Sequence, residues 1–282
     1  MIIALTLIII TPIVVFFSLY AKSSLLLDGN ASLFELLFSS SWQPSEGKFG
    51  FLPFIASSVF ITILSVIIAA PVCLLAAIYL TQYAHPWFVK LMYPVTDILA
   101  GIPSVIYGVW GILIIVPFIS DIVAPFFDVQ TTGYTLITGA IVLSIMIIPF
   151  ILNILIEIFR NVPVELTEAG LSLGATRWQV IKHIVIRKIK PGIISAFGLG
   201  VARAFGETIA VLMVAGNVIK IPDSLFSASY PLPALIANNY GEMMSIPMYD
   251  SALMFAALLL FVTILIFNLL SRMTIYRLEK QL

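Results

Sequence analysis

The sequence predicts an all-α, polytopic membrane protein of six transmembrane helices with both termini in the cytoplasm. Three observations predict it. Of 282 residues, 61% are hydrophobic and 10% are Asp, Glu, Lys or Arg, against about 25% charged in ordinary soluble domains, which excludes a soluble globule and a disordered chain alike. Apolar stretches long enough to cross about 30 Å of hydrocarbon recur six times. The basic residues gather on one side of those stretches, as cytoplasmic loops require.

The first apolar run, 2–20, is long enough to span at about 1.5 Å per residue. A cleaved signal peptide is the competing reading, but no basic segment precedes the run and no A-x-A pattern precedes Lys22, so it counts as a span. Residues 49–84 carry no charge, more length than one crossing needs, and predict a second helix that tilts or runs beyond the hydrocarbon. The third segment, 91–119, has Asp97 near one end and Pro103 inside it; the fourth covers 133–158. The fifth, 191–215, contains Arg203 and Glu207, and the sixth, 251–271, is uncharged and unbroken.

The connections sort into an external segment 21–50, an internal turn 83–90, an external turn 120–132, an internal loop 159–190 and an external loop 216–250. With the N-terminus inside, the cytoplasmic set is Lys90, Arg160, Arg177, Lys182, Arg187, Lys188, Lys190, Arg272, Arg277 and Lys280. Only Lys22, Lys48 and Lys220 fall outside, and the reverse orientation would strand the larger set. There is no fixed-period repeat, low-complexity tract or soluble appendage, so 1–282 reads as a single transmembrane domain.

Several chemistries are missing. Fourteen Lys and Arg balance fourteen Asp and Glu, so no charge excess marks a nucleic-acid binder. Cys73 is the sole cysteine and lies in an apolar run, where it reads as a small buried hydrophobe. His85 and His183 both fall in cytoplasmic connections without a neighbouring ligand set or an H-E-x-x-H pattern, so no hydrolase, metal or cofactor site is expected. Gly47-Lys48 is followed by Phe49, which is no phosphate cradle. The chain is therefore expected to be non-catalytic, with any ATP hydrolysis on a separate subunit.

The internal loop predicts two short helices. Pro163 after Asn161-Val162 is a helix start, because proline in the first turn loses no hydrogen bond, and Glu165 and Glu168 suit its positive end. Gly170 and Gly174 then interrupt, and Thr176-x-x-Gln179 makes a capping box that opens a second helix. An amphipathic hairpin resting on headgroups is the competing reading.

In the fifth segment, Arg203 and Glu207 fall near mid-membrane, and each would cost about 2.5–3.5 kcal/mol at a helix centre, so neither faces lipid cheaply. At helical spacing, Leu199, Arg203, Glu207 and Val211 form one row. It is flanked by Gly198, Ala202, Gly206, Ala210 and by Ala196, Gly200, Ala204, Thr208. Such small rows let neighbouring helices approach. Opposite lies the bulky row Phe197, Val201, Phe205, Ile209. Two readings stay open: the pair neutralises itself at i, i+4 and holds the bundle, or the Arg203 fork donates to a passing oxyanion and Glu207 holds it otherwise. Asp97, nearer a helix end, serves the interface or a basic partner as readily as a substrate.

Several segments now resemble one family. Glu168-Ala169-Gly170, Gly174 and Ile184-x-Ile186 resemble the coupling-loop signature of ABC importer permeases, with Gly170 in place of alanine and Arg187 in place of a terminal proline. The runs from Asp97 through Gly101-Ile102-Pro103-Ser104 to Tyr107-Gly108-Val109-Trp110-Gly111, and from Arg203 through Gly206-Glu207-Thr208 to Val211, resemble motifs of phosphate-specific ABC transporter permeases of the PstC type. The segment from Trp42 to Phe54 looks like their first external loop. Asp97 stands where that pattern usually has Glu.

The resemblance implies a type I importer fold in a prokaryotic plasma (inner) membrane and one half of a path for inorganic phosphate. It further implies a homologous PstA-type permease, a PstB-type ATPase dimer and an external PstS-type phosphate-binding protein as partners. Arg203, Glu207 and the adjoining Thr208 are the expected substrate-pathway residues, and Glu168, Ala169, Gly170 and Gly174 the expected ATPase-docking residues. A permease for sulfate, molybdate or another oxyanion is the alternative within this architecture. A gradient-driven carrier is the alternative outside it, and the paired halves and broken helices common in such carriers are not visible in the sequence.

Overall fold

The computed structural model describes residues 2–28, 32–241 and 246–279. In chain order these form α1 (Ile2–Leu27), α2 (Leu33–Phe38), β1 (Trp42–Gln43), β2 (Lys48–Phe49), α3 (Leu52–Ile78), α4 (Pro86–Gly101), α5 (Ser104–Trp110), α6 (Val116–Phe118), α7 (Ala124–Phe126) and α8 (Leu136–Arg160). They continue with α9 (Val164–Ser172), α10 (Arg177–Val180), α11 (Ile186–Phe205), α12 (Ile209–Val214), α13 (Leu232–Asn239) and α14 (Pro247–Glu279). Among the described residues, five helical stretches are long and apolar enough to cross a membrane: Thr6–Leu27, Leu52–Tyr83, Ser104–Phe126, Leu136–Arg160 and Pro247–Thr274.

The third expected span is displaced. Ile102 and Pro103 adopt extended backbone (ψ 129° and 140°), because proline drives its predecessor out of the helical region and donates no N–H. The stretch 91–119 is therefore not one helix. Residues 86–101 form a separate helix, and the long apolar stretch starts at Ser104 and passes through π-turns at Gly111–Ile115 and Ile119–Val123 before ending at Phe126. The expected turn at 120–132 shrinks accordingly.

Helix α8 is the centre of the bundle, with 67% of its span window buried against 28% for the stretches Leu52–Tyr83 and Pro247–Thr274. It packs on α3, α4, α11 and α12, and its Leu143, Ile147, Ile151 and Leu155 are the spine of the largest apolar cluster. Cys73 lies in that cluster, fully buried. Helix α1 lies on α14 and leaves Leu7, Ile8, Val14 and Phe17 exposed, as an acyl-chain face requires.

The small rows of α11 work as expected. Gly200 faces Ile151 of α8, and Gly198 faces Ser271 of α14. In the bulky row Phe205 packs, 2% exposed with its ring 5.6 Å from that of Phe267, while Ile209 is 43% exposed.

On the side reached by the C-terminal end of α12, two segments close over the bundle. The β1–β2 hairpin turns at Gly47 (φ 69°) and places Trp42 against the rings of Phe49, Phe51 and Phe54 at 5.0–5.4 Å. The second segment returns through the Gly216–Ser229 bridge to α13, where Ser57 and Ser58 of α3 accept hydrogen bonds from the backbone N–H groups of Tyr230 and Leu232. Within it, Lys220 Nζ (2.7 Å) and the Ser227 hydroxyl donate to Asp223 and pull its carboxyl down to about 2.

A Cβ at Gly200 would sit 2.5 and 2.8 Å from Ile151 Cδ1 and Cγ1. Gly200→Val is expected to lose about 1–3 kcal/mol through overpacking, read as a lower unfolding temperature of the detergent-purified protein. Gly101→Ala, with no atom within 4 Å of the new methyl, is expected to stay within about 0.5 kcal/mol of wild type.

Candidate functional site

The fifth segment does not run as one helix. Helix α11 stops at Phe205, Gly206 and Thr208 leave ideal helical geometry (φ −84°, ψ −6° and φ −109°, ψ −62°), and α12 restarts at Ile209. Glycine is the weakest ordinary helix former, and here it sits one residue before the ionisable Glu207. The Glu207 N–H still reaches the Ala204 carbonyl at 3.3 Å, and the Thr208 hydroxyl donates to the Gly206 carbonyl at 3.3 Å.

The break separates the two charges. Among the described residues the ion pairs are Lys48–Glu46 and Lys220–Asp223, so the expected i, i+4 pair of Arg203 and Glu207 does not form. The spacing argument assumed an uninterrupted helix. Arg203 is exposed on the outer side of α11, with its guanidinium carbon 4.8 Å from the centroid of the Phe150 ring on α8, a cation–π contact worth about 0.5–2 kcal/mol. Leu199, in the same row, is 45% exposed. Glu207 is half-buried and lines a cavity of about 10 Å³ with Ser58 and Thr62 of α3 and Pro231 and Pro233 of the segment leading to α13. That volume suits about one water.

A second break lies close by. The Tyr107 hydroxyl donates to the Leu99 carbonyl at 2.8 Å, tying α5 back to the end of α4 across the Ile102–Pro103 interruption. Helices α5 and α12 pack on each other, and a Cβ at Gly108 would meet Met213 Sδ at 2.5 Å and Ala210 Cα at 3.3 Å. Broken helices are therefore present, contrary to the expectation from the sequence.

Asp97 lies in α4, outside the apolar stretch that follows, and accepts a hydrogen bond from Asn153 Nδ2 of α8 at 3.0 Å. Phe150, Asn153 and Tyr107 are the residues that sequence reasoning passed over. Asn153 had a signal, as the one amide in an otherwise apolar run from Ile151 to Ile156. Phe150 had none. His85 accepts at Nδ1 from the Trp87 N–H at 3.3 Å and caps α4, and His183 is exposed in the π-turn Ile181–Val185.

The internal loop folds as two short helices. Pro163 opens α9, and the Thr176–Gln179 box forms with both of its hydrogen bonds, 2.8 and 3.3 Å. Gly170 does not interrupt: α9 runs through it to Ser172, and the bend comes at Gly174 (φ 80°). Gly170 is buried because α9 packs there on Val180 and Ile184, 2.9 and 2.7 Å from where a Cβ would stand. Glu168 and Ala169 stay exposed, as do Val164, Leu171 and Leu173, the last at 88%.

A family model described as the binding-protein-dependent transport system inner membrane component matches residues 69–280. The chain belongs to that family. It is 40% identical over 262 residues to the probable ABC transporter permease protein YqgH of Bacillus subtilis, covering 92% of this chain and 83% of that one. It is 36% identical to the phosphate transport system permease protein PstC of Pasteurella multocida (88% and 81% covered) and 34% identical to the PstC of Xylella fastidiosa (88% and 80%). In fold it resembles a chain from inward-facing structures of the MetNI methionine ABC transporter, with a TM-score of 0.60 over 79% of this chain and 93% of that one at 17% identity. Membership places the protein among inner membrane components of ABC importers, which work with an ATPase and a binding protein.

Because the two charges point apart, a double-mutant cycle of Arg203→Met and Glu207→Gln is expected to give a coupling under about 0.5 kcal/mol in unfolding experiments, as for non-contacting residues. A broken buried pair would instead show several kcal/mol.

Proposed function

We propose that the chain is one half of the translocation pathway of an ATP-driven importer of inorganic phosphate. The observation that carries this is Arg203, a guanidinium on the exposed side of α11 that no carboxylate of the described residues neutralises, in a chain whose relatives include phosphate permeases named PstC. Phosphate near neutral pH bears one to two negative charges, so its passage demands a protein-lined path with a compensating cation. A planar fork held over Phe150 is pre-organised for such oxygens. Glu207 and Thr208 border the same break and belong to the pathway as the residues that shape it.

The chain acts as one permease domain with six crossings and both termini inside, the fifth crossing being α11 continued through the break into α12 and the sixth α14. It pairs with a homologous PstA-type permease, a PstB-type ATPase dimer binds the α9–α10 loop, and a PstS-type protein delivers phosphate from outside. The exposed Glu168, Ala169, Val164 and Leu173 offer the ATPase a mixed acidic and apolar face, while buried Gly170 and the bend at Gly174 set its angle.

In cells depleted of other phosphate systems, Arg203→Ala is expected to reduce phosphate uptake by at least about a hundredfold, the scale of losing a bidentate charge-assisted contact, with the ATPase still copurifying. Uptake near wild type removes the anion-donor role, and competition by sulfate but not phosphate moves the assignment to another oxyanion. Gly170→Leu is expected to push α9 off Val180 and Ile184, so that copurification of the ATPase and uptake fall together while the permease still accumulates in the membrane.

A further inference from the structure

On a face that α4 borders, helix α8 carries Asn153, Glu157 and Arg160, with Phe150 one turn before them. Arg203 lies over Phe150, Asn153 donates to Asp97, Glu157 is exposed, and Arg160 stacks on Tyr93 at 4.5 Å. The two helices run antiparallel, since Tyr93 meets Arg160 and Asp97 meets Asn153. Asp97 therefore sits on the Arg203 side of that face. Phe150 and Asn153 are separated by about 4.5 Å of helix rise, whereas Arg160 stands about 10 Å from Asn153 in the other direction and is engaged on the Tyr93 ring. Tyr107 ties the same end of α4 to α5, its hydroxyl donating to the carbonyl of Leu99, two residues beyond Asp97.

Both charges are underused as they stand. Among the described residues Arg203 has no carboxylate within ion-pair distance and Asp97 no cation, its single hydrogen bond coming from a neutral amide, while Asn153 Oδ1 is buried without a donor. We propose that Asp97 is the counter-charge of Arg203 in the transport cycle: its carboxylate competes with the bound oxyanion for the guanidinium and so drives release. Glu207, turned to α3 on the far side of the break, does not take that part. The inference rests on Arg203 being the anion donor and adds a positioning residue acting through it. A group that binds the empty arginine and not the loaded one shifts the equilibrium toward the anion-free state by its differential affinity, so its loss slows turnover without weakening uptake affinity.

The test uses the complete transporter in right-side-out membrane vesicles loaded with ATP and given the external binding protein and radiolabelled phosphate. Asp97→Asn, which keeps a partner for Asn153 and removes the charge, is expected to lower the maximal uptake rate about tenfold, the scale of one hydrogen bond to a charged group. KM is expected to stay unchanged or fall, and Asp97→Glu to recover most of the rate. A wild-type rate in Asp97→Asn, or a loss confined to a raised KM, overturns the proposal. If the wild-type complex moves sulfate and not phosphate, the phosphate assignment fails and the same variants are read with sulfate. Where Asp97→Asn fails to assemble, or no oxyanion is moved, Asp97→Cys with Arg203→Cys in a Cys73→Ala background is treated with a short bismaleimide. Crosslinking in the nucleotide-free complex supports the approach of the two side chains, and its absence overturns it.

Discussion

The interruption of the helical ladder between Phe205 and Ile209 is the constraint on which the rest depends. In hydrocarbon every backbone N–H and C=O needs a partner, so non-helical backbone at membrane depth persists only inside protein or beside water. Here protein closes one side of the interruption and leaves the other open. Its inner side closes on α3 and the segment before α13 around a cavity of about 10 Å³, and its outer side carries the exposed Arg203. The break thereby decides where each charge points, sending the carboxylate inward and leaving the guanidinium on the open face.

The second interruption, at Ile102–Pro103, has a different cause and the same consequence. Proline imposes it chemically, and Tyr107 stabilises it by returning a hydroxyl to the freed end of α4. Because α5 lies against α12 through Gly108 and Ala210, the two broken segments pack as one unit. Half-helices that meet beside unpaired charge are the arrangement in which membrane transporters place their ligands.

The α9–α10 loop and this junction are mechanically connected. From Arg177 the chain runs through α10, the π-turn Ile181–Val185 and α11 to Phe205 without a non-helical residue, a rod of about 43 Å at 1.5 Å per residue. Helix α9 sits on the start of that rod through Gly170, against Val180 and Ile184. Helix α9 and Arg203 are therefore joined through continuous helical backbone and not through loops, and α11 packs on α8 and α14.

The sequence by itself determined what depends on neighbours a few residues apart. The long apolar helices follow from uncharged length, the opening of α9 from Pro163, and the start of α10 from a capping box whose partners are three residues apart. The small rows of α11 were legible for the same reason, since a stripe at helical spacing names its own face. Only the tertiary structure decided the rest. Arg203 meets Phe150 across 53 positions of chain and Asp97 meets Asn153 across 56, and no local spacing encodes such partners. The expected Arg203–Glu207 pair failed because i, i+4 arithmetic holds only within an intact helix, and whether Gly206 ends one is settled by what packs around it. Gly170, which by propensity should break α9, stays helical because the close approach of Val180 and Ile184 leaves no room for a larger residue and repays the weaker helix with contact.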